Sequence, residues 1–271
     1  MTKAARAIVM KDLQQRRGSL IGYSAIAAAF LGLYASLFPS IKQQADSLSR
    51  VVASLPKAVV DSFGFQADTF TNLQRYLAVE FFSLTWPLLM ILLAVSRAGG
   101  ALAGEVEQGT MGALLALPVS RTRLWLAKYT AGLMALVIFA ACSTLVIIPL
   151  AALANAPVEA GRCVELMLLA SLFGATIYAL AMAVSAVVSE RGPVYLVLGG
   201  ISVAMYVLNI VSNLKDSLSW LKYGSIFHYF DAVAVLGGSQ LDWQSVGVLL
   251  LVAVAASVAS WLVFLRRDIT V

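Results

Sequence analysis

The sequence predicts an all-α membrane protein with six transmembrane helices, and three observations lead there. Of the 271 residues, 61% are hydrophobic and only 12% are charged, against about 25% charged in an ordinary soluble domain. The apolar residues come in runs of roughly 20, the length a helix needs to cross a bilayer. These runs are continuous and lack the alternation of a barrel strand. Helices, which satisfy their own backbone hydrogen bonds in lipid, are therefore the fold.

Residues 1–17 read as a basic amphipathic elbow helix. Ala5, Ile8, Val9 and Leu13 recur at helical spacing, while Lys3, Arg6, Lys11, Arg16 and Arg17 carry the charge. Such a helix lies in the interface against anionic lipid. The apolar run after it is too long for a signal peptide and lacks a small-residue cleavage site.

The first membrane segment, 19–38, carries Gly18, Gly22, Ala25, Ala29, Gly32 and Ser36 in steps of four and three. That stripe of small side chains lets another backbone approach closely. Gly22, Ala25, Ala29 and Gly32 are the candidate seam with a second copy; packing within the chain is the alternative. An outer loop, 39–75, follows and contains a short amphipathic helix over Lys57–Phe65, ended by Gly64. Segment two, 76–95, holds Pro87 and, near one end, Glu80. Glu80 is read as an interfacial carboxylate rather than a group lining a pathway.

Segments three (124–153), four (164–189), five (194–211) and six (245–265) complete the set. Pro193 suits the first turn of segment five. The loop 212–244 contains Trp220, Tyr223, Phe227, His228, Tyr229, Phe230 and Trp243. Aromatic rings collect at membrane interfaces, so this loop is expected to re-enter as short helices.

Between segments two and three lies a polar hinge, 105–128. It reads as one helix over 105–117, with Glu105 and Glu107 at its positive end, a Met–Leu run, and Pro118 to stop it. Arg121, Arg123 and Lys128 then stand ready for lipid phosphates or an acidic partner. Gly100 and Gly104 form a GxxxG pair just before it, a weak signal alone.

Six crossings put both termini on one side. That side collects twelve of the 19 Lys and Arg and five of the 14 acids, while the other has seven bases and nine acids. Positive residues remain cytoplasmic, so both tails and the hinge are expected inside a multi-pass protein of the cytoplasmic membrane. The net charge of +5 is thereby explained as topology, with no nucleic-acid partner.

No catalytic constellation emerges. His228, the one histidine, has no ligating neighbour at helical spacing, and no Gly-rich loop with Lys and Ser/Thr is present to cradle a nucleotide. Cys142 and Cys163 read as small apolar residues. Ser143, Thr144, Ser171, Thr176, Ser185 and Ser202 read as bonding to nearby backbone. Carboxylate pairs within the membrane, which an ion-coupled carrier would need, are also missing. The chain is therefore expected to be neither an enzyme nor the holder of a cofactor or metal. A transporter of this composition must draw energy from a separate motor.

The hinge sequence Glu105-Val106-Glu107-Gln108-Gly109-Thr110, then Leu114-Leu115-Ala116-Leu117-Pro118-Val119-Ser120-Arg121, then Lys128, resembles the type-2 ABC transporter permeases, the six-helix exporter subunits. Weaker matches are Leu55-Pro56 to Phe63-Gly64, Tyr229-Phe230-Asp231 and the Phe264–Asp268 ending. The resemblance implies that 105–120 is a coupling helix seated in an ATP-binding subunit, with Glu105, Glu107, Gly109, Thr110, Leu114, Leu115, Pro118 and Arg121 at that interface. It implies two copies of the permease and two separate ATPase subunits, which hold the ATP and Mg. It also implies that 212–244 caps an exit. A second reading is a membrane scaffold or assembly factor whose outer loops bind a protein or lipid.

Overall fold

The computed structural model describes residues 3–56, 59–60, 64–66, 68–214 and 216–268, and every regular element among them is helical. In chain order these are α1 (Lys3–Gln15), α2 (Arg17–Gln43), α3 (Ala45–Ala53), α4 (Leu73–Leu77) with a π turn (Ala78–Phe82), α5 (Thr85–Ala101), α6 (Ala103–Glu107), α7 (Met111–Leu115), α8 (Arg121–Leu145) and α9 (Ile147–Leu153). Then come α10 (Ala160–Val187), α11 (Arg191–Leu214), two 3₁₀ turns (Asp216–Gly224 and Ile226–Tyr229), α12 (Ala232–Leu236) and α13 (Trp243–Arg266). Five helical stretches are long and apolar enough to span a membrane, and the α4–α5 pair, bent by 47°, makes a sixth. The protein is an all-α polytopic membrane protein.

Three boundaries differ from those expected. The first helix runs through Pro39 to Gln43, and α3 follows after one residue, so much of the 39–75 loop is helical. Pro39 is exposed, so its ring meets no packed neighbour there. The second span is longer than 76–95 and is broken at Ser83–Leu84. Its C-terminal end carries Arg97 and the glycine run within α5, buried. The short helix expected over Lys57–Phe65 falls mainly outside the described residues.

Helix α10 is the axis of the bundle, packing against α13, α5 and α8. Small residues make this possible. A methyl group at Gly132 would collide with the Tyr178 hydroxyl, and one at Gly174 with the Met90 thioether. The Tyr178 hydroxyl instead donates to the Lys128 carbonyl at 3.2 Å. Near the opposite end from the termini, Trp86 is fully buried. Its ring stacks on Phe139 and Phe230, with centroids 6.0 and 5.1 Å away, and its Nε1–H donates to Ser143 Oγ at 2.7 Å. Stacking fills space with little rotamer freedom lost, and the hydrogen bond satisfies the buried indole. By contrast α2 and α11 bury only narrow faces and leave broad apolar ones uncovered.

Gly132→Ala should lower the thermal unfolding midpoint of the detergent-solubilised protein, because overpacking of this kind costs about 1–3 kcal/mol. Gly161→Ala, in the same kind of helix with open space around it, should leave the midpoint unchanged or raise it.

Candidate functional site

At the end of the bundle that carries both termini, the chain between α5 and α8 forms two one-turn helices rather than the single helix expected over 105–120. Gly109 causes the break. It sits at φ +67°, where a side chain would be strained. Its N–H donates to the Val106 carbonyl, and the Thr110 N–H donates to the Glu105 carbonyl, both at 2.9 Å. This pair of bonds is the Schellman ending of α6. The helix is a single turn, so Glu105 lies in its first turn as expected, but Glu107 closes it at the negative end, where a carboxylate is unfavourable without a cation.

Both have cations. Lys128, on the buried face of α8, places Nζ 2.5 Å from Glu105 Oε1 and 3.1 Å from Asp12 Oδ1. The ammonium is 6% exposed. It was expected to face lipid phosphate or a foreign acid; its acids are in its own chain. Burial raises the Glu105 pKa, but the hydrogen bonds from Lys128 and Thr110 outweigh that and hold the carboxyl below its ordinary value. Glu107 accepts from the Arg191 backbone N–H at 3.3 Å and faces its guanidinium Nε at 3.4 Å. The acids of α6 thus tie the hinge to α8, α1 and α11.

Two more arginines lock the same end. Arg16 donates from Nη2 to the Gly100 carbonyl at 2.6 Å, and Arg97 donates back to the Arg16 carbonyl at 2.8 Å. Side chains at Gly100 and Gly104 would collide with Arg16 and Arg191. The GxxxG pair therefore admits arginines, not a helix. Ser185 closes the break after α5, donating to the Ala98 carbonyl at 2.7 Å and accepting from the Ala103 N–H at 3.1 Å. Arg121 donates to the Arg267 carbonyl at 2.7 Å and so binds the start of α8 to the C-terminal end of α13.

The residues assigned to the interface from the sequence divide into two groups. Glu105 and Arg121 face inward and are engaged within the chain, and Leu114 and Leu115 are half-buried against the core. Gly109, Thr110 and Pro118 are exposed, as are Gln108, Ala113, Ala116 and Leu117, which the sequence reading did not single out. Glu107 is half-exposed. A groove of about 840 Å³ runs between α1 and this hinge, lined by Lys11, Gln15, Gln108, Ala113, Leu114 and Leu117 among others. Sequence reasoning missed Asp12, Arg16 and Arg97. The available signal was their position: a lysine between Ala127, Ala131 and Gly132 on an apolar helix needs a buried counter-charge.

The small-residue stripe lies away from this site. Gly22, Ala25 and Ala29 are exposed and Gly32 half-buried, and a methyl group at Gly22 or Gly32 would meet nothing. Helix α2 buries a different face, through Ala27, Leu31, Ala35 and Phe38.

Lys128→Met should destabilise the protein by about 3 kcal/mol, since it strands two mostly buried carboxylates. Glu105→Gln gives the pH signature in the same unfolding assay. A depressed native pKa contributes stability that is complete above the ordinary value of 4.5 and is lost as pH falls through the native pKa. The wild-type advantage over Glu105→Gln should be full at neutral pH and close below pH 4.5.

A family model described as "ABC-2 family transporter protein" matches residues 6–269. No curated protein gives a significant match. The match spans the elbow, the braced hinge and all the membrane helices, and on that basis the chain belongs to the ABC-2 transporter family, as a membrane-spanning permease subunit of the ABC transporter kind.

Proposed function

We propose that the protein is the permease of an ATP-driven exporter in the cytoplasmic membrane, and that separate ATP-binding subunits dock on the hinge between α5 and α8. The observation that carries this reading is the brace under the hinge. A largely exposed stretch, Gln108 to Pro118, stands on α6, which is ion-paired to α8 and α11 and, through Lys128, linked to Asp12 of α1. A load applied to the stretch therefore reaches several membrane helices as a unit. A loop without a mechanical role has no need of such a base.

In this reading the contact surface is Gln108, Gly109, Thr110, Ala113, Leu117 and Pro118, flanked by the groove against α1. Glu107 lies at its edge. Glu105, Arg121, Leu114 and Leu115 position that surface from behind rather than touching the partner. ATP and Mg are held by the partner subunits, which supply hydrolysis. This chain supplies the path and the transmitted motion. Two copies pair through the stripe on α2, where the absence of side chains permits close backbone contact, and lipid covers the remaining apolar face. With both termini and the hinge in the cytoplasm, the Phe227–Leu236 region faces the opposite side.

Leu117→Glu, co-expressed with the ATP-binding subunits, should abolish their co-purification and the vanadate-sensitive ATP hydrolysis of the complex, while the permease elutes normally. Full ATPase coupling in this variant would overturn the docking assignment, and a scaffold role would gain if no transport in vesicles accompanied a stable complex. Separately, Ala25→Leu with Ala29→Leu should convert the dimer to monomer in multi-angle light scattering. An intact dimer would move the seam elsewhere.

A further inference from the structure

The second span is interrupted at a cavity. Its π turn ends at Phe82, α5 begins at Thr85, and the two halves meet at 47°. Extra-residue turns of this kind recur at functional sites. Broken backbone at membrane depth is tolerated where it lines a cavity, as in transporters whose binding sites sit at interrupted helices. Here the cavity is about 600 Å³ and lies between the break, the C-terminal half of α11 and the Ile226–Leu236 segment. That volume is within the range of small-molecule sites.

Its lining has a definite chemistry. Glu80 projects from the π turn, half-buried, with no hydrogen bond or ion pair among the described residues. Asp231 adds a second carboxylate, one oxygen of which accepts from the Ala234 N–H at 2.8 Å. The walls are aromatic: Phe82, Tyr206, Phe227 and Phe230. Tyr206 meets Phe227 edge-on at 5.2 Å, and Phe227 leans on the stacked rings of the core through Phe173. No lysine or arginine lines the cavity among the described residues. His228 also lines it; burial, with Lys222 nearby, holds the imidazole below its ordinary pKa, so it is neutral at pH 7. A carboxylate without a partner, in a cavity with aromatic lining, attracts a cation and disfavours an anion.

We propose that this cavity is a binding site for lipophilic organic cations, ammonium or phosphonium groups on an apolar body, with Glu80 as the counter-charge. The aromatic walls take the apolar body and contribute cation–π attraction, a use a hydrated inorganic ion could not make of them. Asp231 adds to the field from the rim. The assignment deepens the export reading, and rests on it for the role of the bound cation as cargo. The binding itself does not depend on an ATPase.

The test uses the full-length permease in nanodiscs, with empty nanodiscs as the blank. Tetraphenylphosphonium and tetraphenylborate share one shape and carry opposite charge. The wild type should bind the phosphonium saturably, and the borate should not compete. Glu80→Gln should weaken phosphonium binding by about tenfold or more, whereas Glu190→Gln, exposed at the other end, should not. Equal competition by the borate overturns the proposal without any variant, and so does unchanged affinity in a folded Glu80→Gln protein. In vesicles with the ATP-binding subunits, ATP-driven phosphonium movement should also depend on Glu80. Binding without any ATP-driven movement would sink the export reading and leave the site standing, whereas export of other cargo with no phosphonium binding would do the reverse.

Discussion

A single ammonium holds the terminal end of this protein together. Lys128 is buried on the apolar face of α8, and removing an ion of that size from water costs several kcal/mol unless partners compensate. Its two carboxylates come from elements far apart in the chain, Asp12 on α1 and Glu105 on α6. Arg16 lies 3.9 Å from Asp12 and balances the second negative charge. The ammonium has no other partner among the described residues, and it reaches both carboxylates only when α1 and α6 are in place. The cluster therefore fixes how the elbow helix, the hinge and α8 sit together, more than it adds net stability. Its geometry then sets other residues. Arg16 must pass Gly100 and Arg191 must pass Gly104, so any side chain at either glycine would displace the brace.

That dependence explains what the sequence made legible. Spans came through because apolar length is a local property: five helices and one bent pair stand where six runs were read. The hinge was located for the same reason, as the polar interval between two runs. Its internal form was not. A Met–Leu run beginning with acids reads as one helix, but Gly109 in the left-handed region ends α6 after one turn, and Glu107 becomes its C-terminal residue. The Gln-Gly-Thr sequence was the usable signal for that ending. Lys128 was grouped with Arg121 and Arg123 because charge counting along a chain is blind to burial. Its pairing with Asp12, 116 residues away, is a property of packing that one-dimensional periodicity does not carry.

Glu80 shows the converse. Its distance from the end of an expected span placed it at the interface. The π turn and the break after it bring that carboxylate against a cavity instead. A one-residue insertion in helical register rotates the following side chains by most of a third of a turn, and no hydropathy window registers it. Ser83 accommodates the irregularity, its hydroxyl donating to the Ala78 carbonyl at 3.2 Å.

The two irregular sites are the two ends of one rod. Helix α5 spans about 25 Å at 1.5 Å per residue. At one end is the joint at Ser83–Leu84, beside Glu80; at the other is the joint at Leu102, which Ser185 straps to α10. Between them α5 is regular and buried on most of its surface, with Trp86 fixed by stacked rings. A stiff rod jointed at both ends transmits displacement along its axis and does not dissipate it in bending. In the export reading, a displacement of the braced hinge would pass along α5 to the π turn beside the cavity, with the Leu102 joint held by Ser185. The glycines and arginines at one end and the π turn at the other are then parts of one constraint. In the export reading, a stiff terminal end leaves the far joint as the part that yields.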